Sequence, residues 1–311
     1  MTKNIDVTLR EVGMRDGLQS ISTIMPTEQK KLWCTSEAAC GMPEIEVCSF
    51  VPPKLLPQFA DATEIVDHAL AIPGLCVSAL IPNSKGAERG IAAGVHKMNY
   101  AMSVSESHNQ NNVRRSSEES MSDLVRIIAM VKDVPKDRRP ILSGGLATSF
   151  GCTIEGPVSE KRVREFAQRL AREGVDEIVL ADTVGYANPA AIGRVFRQVI
   201  ADVAPIPVAA HFHDTRGLGL ANAVAALEAG VRAFDASLGG FGGCPYAPGA
   251  TGNIDMEDLV FMMEAMGLRT GVDIEGLIAL RRTVEHELPG VPFAGAIATA
   301  GLPKNFHVQP E

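Results

Sequence analysis

His211 and His213 stand one residue apart in Ala210-His211-Phe212-His213-Asp214. They follow a β-branched, apolar run containing Ile206 and Val208 and precede a helix-like stretch from Leu218 to Glu228. Side chains two apart on a strand point to the same face. Both imidazoles therefore project to one side where the strand ends, which suits a divalent metal ion. A pair of surface or core histidines beside a turn would share this spacing, so the rest of the chain has to decide.

Other reactive groups fall at comparable places. Arg15, Asp16 and Gln19 follow the first candidate strand, and Glu46 sits inside the second between Ile45 and Val47. Asp182 and Thr183 follow the sixth strand, and Asn253 lies in the long loop after the eighth. Each has a plain alternative: a surface ion pair for Arg15 and Asp16, a turn cap for Asp182, a left-handed turn for Asn253. Strand ends that deliver acids, imidazoles and a guanidinium to one rim are harder to explain by turn chemistry. One carboxylate, two imidazoles and an amide oxygen make a mixed set for Mg²⁺ or Mn²⁺, with positions left for water or substrate oxygens. Zinc is also compatible, because imidazoles favour it.

The stretch from Gly239 to Asn253 is glycine-rich and contains Cys244. It reads as a mobile lid over substrate, although an ordinary flexible loop would have the same composition. Cys244 in such a lid is a candidate acid or base, and an inert buried thiol is the alternative. No Gly-Lys-Ser/Thr follows, so this is not a phosphate loop.

The elements that must position these groups alternate along the chain. Strands are expected at Ile5–Val12, Glu44–Cys48, Leu75–Ile81, Lys97–Val104, Ile141–Ala147, Glu177–Ala181, Val208–His211 and Ala233–Ser237. Helices are expected at Thr27–Cys40, Pro57–Ala71, Lys85–Ala93, Glu118–Lys132, Ser159–Glu173, Pro189–Val203, Leu218–Ala229 and Met256–Met266. Asn188-Pro189 supplies an N-cap and first-turn proline, and Gly174, Gly230 and Gly267 close helices. Eight alternating pairs predict an α/β fold, a (β/α)8 TIM barrel with active-site groups at the carboxyl ends of the strands. An open doubly wound sheet is disfavoured because the first turn, Gly13-Met14-Arg15-Asp16-Gly17, lacks a G-x-G-x-x-G nucleotide motif. The barrel is expected over residues 1–272. Residues 273–311 are expected as a C-terminal helical extension packed on it, helical from Asp273 to Leu288 and irregular beyond.

The 311 residues are 46% hydrophobic and 21% charged, with net charge −8. That composition buries a full core and argues against nonspecific nucleic-acid or anionic-membrane binding. An anionic small substrate needs only a local basic patch. The cysteines (Cys34, Cys40, Cys48, Cys76, Cys152, Cys244) are scattered without a C-x-x-C pair, so neither a disulfide framework nor a zinc ribbon is expected. With no apolar signal core and no run of membrane-spanning length, the expectation is a soluble cytoplasmic protein.

These segments resemble the 3-hydroxy-3-methylglutaryl-CoA (HMG-CoA) lyase family of metal-dependent TIM-barrel lyases. The matching text begins with Glu11-Val12-Gly13-Met14-Arg15-Asp16-Gly17-Leu18-Gln19 and Ser49-Phe50-Val51. It continues through His211-Phe212-His213-Asp214-Thr215, Gly242-Gly243-Cys244-Pro245-Tyr246-Ala247, Gly252-Asn253 and Glu257-Asp258-Leu259. It runs in order from about residue 5 to about residue 280.

The resemblance implies metal ligation by Asp16, His211, His213 and Asn253. It implies Arg15 as the stabiliser of the enolate oxygen, with Gln19 also at the substrate, and support from Glu46 and Asp182. Cys244 would be the lid residue needed for full activity, and Glu257 a further position near the metal loop. His211 or Cys244 would move protons.

The implied reaction is retro-Claisen cleavage of a 3-hydroxyacyl-CoA to acetyl-CoA and a keto acid, in leucine degradation and ketone-body formation, by a homo-oligomer (dimer or tetramer). The chain departs from the family at Ser20-Ile21-Ser22-Thr23, at Gly151-Cys152-Thr153-Ile154 and at Arg216-Gly217. The metal set is intact, but substrate-contacting surfaces differ, so a citramalyl-CoA-like substrate is an alternative. A Claisen-condensing synthase of the isopropylmalate or homocitrate type is another, and a non-catalytic barrel a third.

Overall fold

The computed structural model describes residues 5–242 and 252–308. Eight parallel strands close into a barrel in chain order, β1 hydrogen-bonding β8. They are β1 (Thr8–Glu11), β2 (Glu44–Ser49), β3 (Cys76–Leu80), β4 (Lys97–Ser103), β5 (Ile141–Ala147), β6 (Glu177–Asp182), β7 (Val208–Phe212) and β8 (Ala233–Ala236). Every expected strand is present, with ends shifted by a few residues at most.

The helices outside are α1 (Thr27–Ala39), α2 (Ala62–Leu70), α3 (Ser84–Ala93), α4 (Glu106–Val113), α5 (Ser117–Asp133) and α6 (Glu160–Glu173). They continue with α7 (Pro189–Val203), α8 (Gly219–Glu228), α9 (Met256–Ala265), α10 (Ile274–Glu287) and the short α11 (Ile297–Ala300). Local signals set several ends. Asn188 accepts from the Ala191 amide, and Ser116 with Glu119 forms a capping box on α5. Gly174 closes α6 at φ 102°, a conformation that costs a residue with a Cβ dearly.

Several elements were not expected, the short α11 among them. α4 is polar all round, so it carries no apolar period; Ser105 caps it through the His108 amide. Gly13–Gly17, expected as a turn, is a single π-helical turn. The segment expected as one helix over Pro57–Ala71 is split into a 3₁₀ turn at Pro57–Phe59 and α2.

Alternation along each strand sorts residues between two environments. Leu9, Ile45, Val77, Met98, Leu142, Ile178, Ala210 and Phe234 face the helices and are buried. The inward positions near the base carry charge instead of the branched aliphatics usual in such barrels. Arg10 pairs with Glu177 at 2.8 Å and Asp235 at 2.7 Å, and Lys97 pairs with Glu177 at 2.8 Å and Glu44 at 3.1 Å. Mutual pairing is what makes these buried charges tolerable. The layer closes the bottom of a cavity of about 660 Å³ that opens at the strands' carboxyl ends. Among the described residues, no helix is long and apolar enough to cross a membrane.

Candidate active site

The π-helical turn after β1 turns Arg15 and Asp16 over the cavity mouth. Two glycines permit it: a Cβ at Gly13 would meet Glu11 Oε1 at 2.6 Å, and one at Gly17 would meet the Phe241 ring at 2.6 Å. Beneath it, Glu11 accepts from the amides of Gly13 and of Leu238, the latter at 2.9 Å. One buried carboxylate thus fastens the loop carrying Asp16 to the segment that follows β8.

The loops after β7 and β8 are laced together by backbone bonds. Asp214 N donates to Gly252 O at 3.1 Å and Ile254 N to Phe212 O at 3.0 Å, setting His213 and Asn253 side by side. His211, the last inward residue of β7, places Nε2 3.1 Å from Nε2 of His213. Ligand atoms of Asp16, His211 and His213 all lie within 4.8 Å of one another. Asn253 Nδ2 donates to Asp16 Oδ2 at 2.8 Å, joining residues 237 apart in sequence.

The donor set fits a divalent cation, and one atom tests the fit. Asn253 Oδ1 is buried without a hydrogen-bond partner, a costly state for an amide oxygen that a cation would relieve. Rotation of the amide exchanges Nδ2 for Oδ1 beside Asp16. One carboxylate oxygen, two imidazole nitrogens and one amide oxygen leave coordination positions open.

The electrostatics hold these groups ready. Burial works against charge on Asp16, but Arg15 and then His213 and His211 outweigh it and keep the carboxyl below its ordinary range. Burial likewise opposes protonation of His211, yet Asp235, bonded to Nδ1 at 3.2 Å, holds it above the usual histidine value. Arg15 is clamped, its Nη1 2.7 Å from Asp16 and its Nε 2.5 Å from Glu46. Burial raises Glu46 despite Arg15; its second oxygen accepts from Asn99 Nδ2 at 2.9 Å. The partner that an inward acid on β2 requires is therefore Arg15. Gln19 lines the same cavity, and its Oε1 is buried without a hydrogen-bond partner.

Two expected residues lie apart from this cluster. Asp182 accepts from the amides of Tyr186 and Ala187 at 2.8 and 3.1 Å, and burial lifts it to about 6. It closes the turn after β6, and its oxygens are spent on backbone. Glu257, at the start of α9, accepts from the Gly239 amide at 2.9 Å and faces Arg281 of α10 at 3.5 Å, so it braces the loop backbone from outside. Cys244 lies outside the described residues. Sequence reasoning missed Asp235 and Asn99, although an acid between Phe234 and Ala236 carries the same signal that exposed Glu46.

Fold and site together define a (β/α)8-barrel enzyme with a candidate divalent-cation site and a clamped guanidinium at the strand ends. The HMGL-like family model matches residues 6–284. Hydroxymethylglutaryl-CoA lyase YngG of Bacillus subtilis is 38% identical over 91% of this chain and 93% of its own. The (R)-citramalyl-CoA lyase of Chloroflexus aurantiacus is 36% identical over 95% of each. A solved HMG-CoA lyase from Acinetobacter baumannii, in complex with coenzyme A and 3-methylmalate, superposes with TM-score 0.90 at 38% identity over the full length of both chains. The chain belongs to the HMG-CoA lyase family and is a carbon–carbon lyase. The family is divalent-metal dependent and acts on CoA thioesters.

Proposed function

We propose that the enzyme cleaves 3-hydroxy-3-methylglutaryl-CoA to acetyl-CoA and acetoacetate, with Mg²⁺ or Mn²⁺ held by Asp16, His211, His213 and Asn253. The observation that carries this reading is the convergence of Asp16, His211 and His213 within 4.8 Å, beside a guanidinium anchored on two carboxylates. A cation bound there supplies Lewis acidity that lowers the pKa of the substrate hydroxyl.

The chain's own residues do the rest. Arg15 stabilises the negative charge that reaches the thioester oxygen as the carbon–carbon bond breaks; Glu46 and Asp16 fix it so that little reorganisation is needed. Asp235 sets the His211 ring, leaving Nε2 toward the cavity. Gln19 contacts substrate at the mouth, and Cys244 is a further residue needed for full activity. Glu257 and Asp182 act through the backbone they hold. A homo-oligomer in the cytoplasm is the assembly and location we propose; Cys34, Cys40, Cys48, Cys76 and Cys152 are all free thiols.

The test is metal-stripped protein with 3-hydroxy-3-methylglutaryl-CoA, with and without Mg²⁺, and mass detection of acetyl-CoA and acetoacetate. Mg²⁺-dependent cleavage is the expected result; tight metal binding without cleavage refutes the substrate. The second reading, a citramalyl-CoA-type substrate, is favoured by the Chloroflexus relative's similarity over nearly the whole chain.

A further inference from the structure

Across the cavity from Arg15 and Glu46, the inward wall of β4, β5 and β6 is built from small apolar residues: Ala101, Gly145, Ala147, Val179 and Ala181. Register makes them one patch, with Ala101 beside Gly145, Gly145 beside Val179, and Ala181 beside His211. Ala101 is exposed and the other four half-buried, although all lie on central strands of a closed barrel. Their outward neighbours Tyr100, Leu146, Ile178 and Leu180 are buried. The wall therefore faces open space, an uncommon exposure for apolar groups in a barrel interior.

Gly145 sets the depth of this recess. A Cβ built on Gly144 points outward into Leu170 and Val175, whereas one on Gly145 meets Ala101 Cβ and Tyr100 O at 3.6 Å and Ala101 Cα at 3.7 Å, all ordinary contact distances. A side chain would fit at 145 without strain and would fill the recess, so nothing in the packing there demands glycine. The recess is floored by Ser143, the inward residue before Gly145, whose hydroxyl donates to Glu177 at 2.9 Å. Ala181 is level with His211, so Val179 and Gly145 sit one inward residue deeper than the histidine. On the lyase reading, the reacting acyl end of the substrate lies beside His211, and the recess is the cavity space next to it on the inward side.

We infer that this recess receives an apolar substituent on the hydroxyl-bearing carbon, and that the enzyme's substrate class extends to 3-hydroxy-3-alkylglutaryl-CoA thioesters with alkyl chains longer than methyl. The inference rests on the lyase reading above. In the cleavage, the hydroxyl proton passes to a base and the hydroxyl carbon becomes a ketone. The electron pair of the broken carbon–carbon bond moves onto the thioester, and a proton returns to the released acetyl carbon. The products are acetyl-CoA and a 3-keto acid that keeps the alkyl chain. Each methylene buried on the wall is worth up to roughly 4-fold in affinity.

The experiment compares kcat/KM of the Mg²⁺-loaded full chain for the 3-methyl and 3-butyl thioesters. Calorimetry of the free 3-hydroxy-3-alkylglutarates gives a readout independent of turnover. The butyl substrate is expected to be cleaved at least as efficiently, and its free acid to bind more tightly. Gly145→Val is expected to lower the butyl-to-methyl ratio of kcat/KM more than 10-fold, and Ala101→Val to move it the same way. Cleavage of the methyl thioester with the butyl one more than 10-fold poorer overturns the inference and leaves the lyase reading standing. Cleavage of neither overturns both, and an unchanged ratio in both variants overturns the assignment of the wall.

Discussion

Asp235 Oδ2 lies 3.2 Å from Nδ1 of His211, one barrel strand away, while Arg10 holds the other oxygen of Asp235 at 2.7 Å. The ionic layer at the barrel base thus continues upward into an imidazole of the proposed cation site. Burial penalises charge on Asp235, but Arg10 and His211 outweigh it and keep the carboxylate ionised. Carboxylates behind ligating histidines typically contribute about 10–100-fold to metal affinity or activity. Asp235→Asn is expected to weaken Mn²⁺ binding within that range, measured by calorimetry, with the barrel intact by circular dichroism. Unchanged affinity would remove Asp235 from the site.

Arg15→Ala should separate charge stabilisation from metal binding. Loss of one preorganised stabiliser costs roughly 10²–10³ in kcat. The Mn²⁺ dissociation constant should move far less, since Arg15 contacts Asp16 through a single oxygen. Steady-state kinetics beside metal titration check this, and a near-normal kcat refutes the role.

Phe293 ties the C-terminal segment to the loop that delivers Asn253. Its ring lies 5.2 Å from Phe241, Ala294 N donates to Gly239 O at 2.8 Å, and a Cβ on Gly239 would strike the Phe293 ring. An aromatic pair of this kind is worth about 0.5–1.5 kcal/mol beyond its buried area. Phe293→Ala is therefore expected to lower Tm by several degrees and to weaken metal binding together with it. A lower Tm with metal affinity untouched would confine Phe293 to stability.

Glu11 and Glu37 are both fully buried acids, Glu11 beneath the π-helical turn and Glu37 on α1. Burial, largest in effect, raises both carboxyls, Glu11 to about 7 and Glu37 well above its ordinary value. Glu37 is raised further, because Glu11 accepts two backbone amides whereas Glu37 accepts the Trp33 indole at 2.7 Å. The unfolded carboxyls titrate near 4.5. The pair's contribution is thus complete below that pH and is lost as pH rises through the raised folded values. Glu37→Gln, which mimics the protonated acid, should flatten the decline of Tm between pH 6 and 9. A variant that declines as steeply as wild type would rule the pair out as its source.

Much of this molecule was legible in local pattern. Strand positions followed from β-branched runs, and helix ends from Asn188-Pro189 and from glycines such as Gly174, because these signals act over a few residues. The pairing of His211 with His213 followed from strand periodicity alone. Helix α4 stayed hidden because its caps, not an apolar face, hold it.

What the tertiary structure alone decided is which polar groups meet. Asp16 and Asn253 touch only because the barrel closes β1 against β8 and two backbone bonds lace the loops after β7 and β8. Asp182, at an equivalent strand end, turns instead to its own backbone, and Glu257 to the Gly239 amide. Residue type fixed what each group is able to do. Barrel closure and strand register, which depend on contacts hundreds of residues apart, fixed what each one faces.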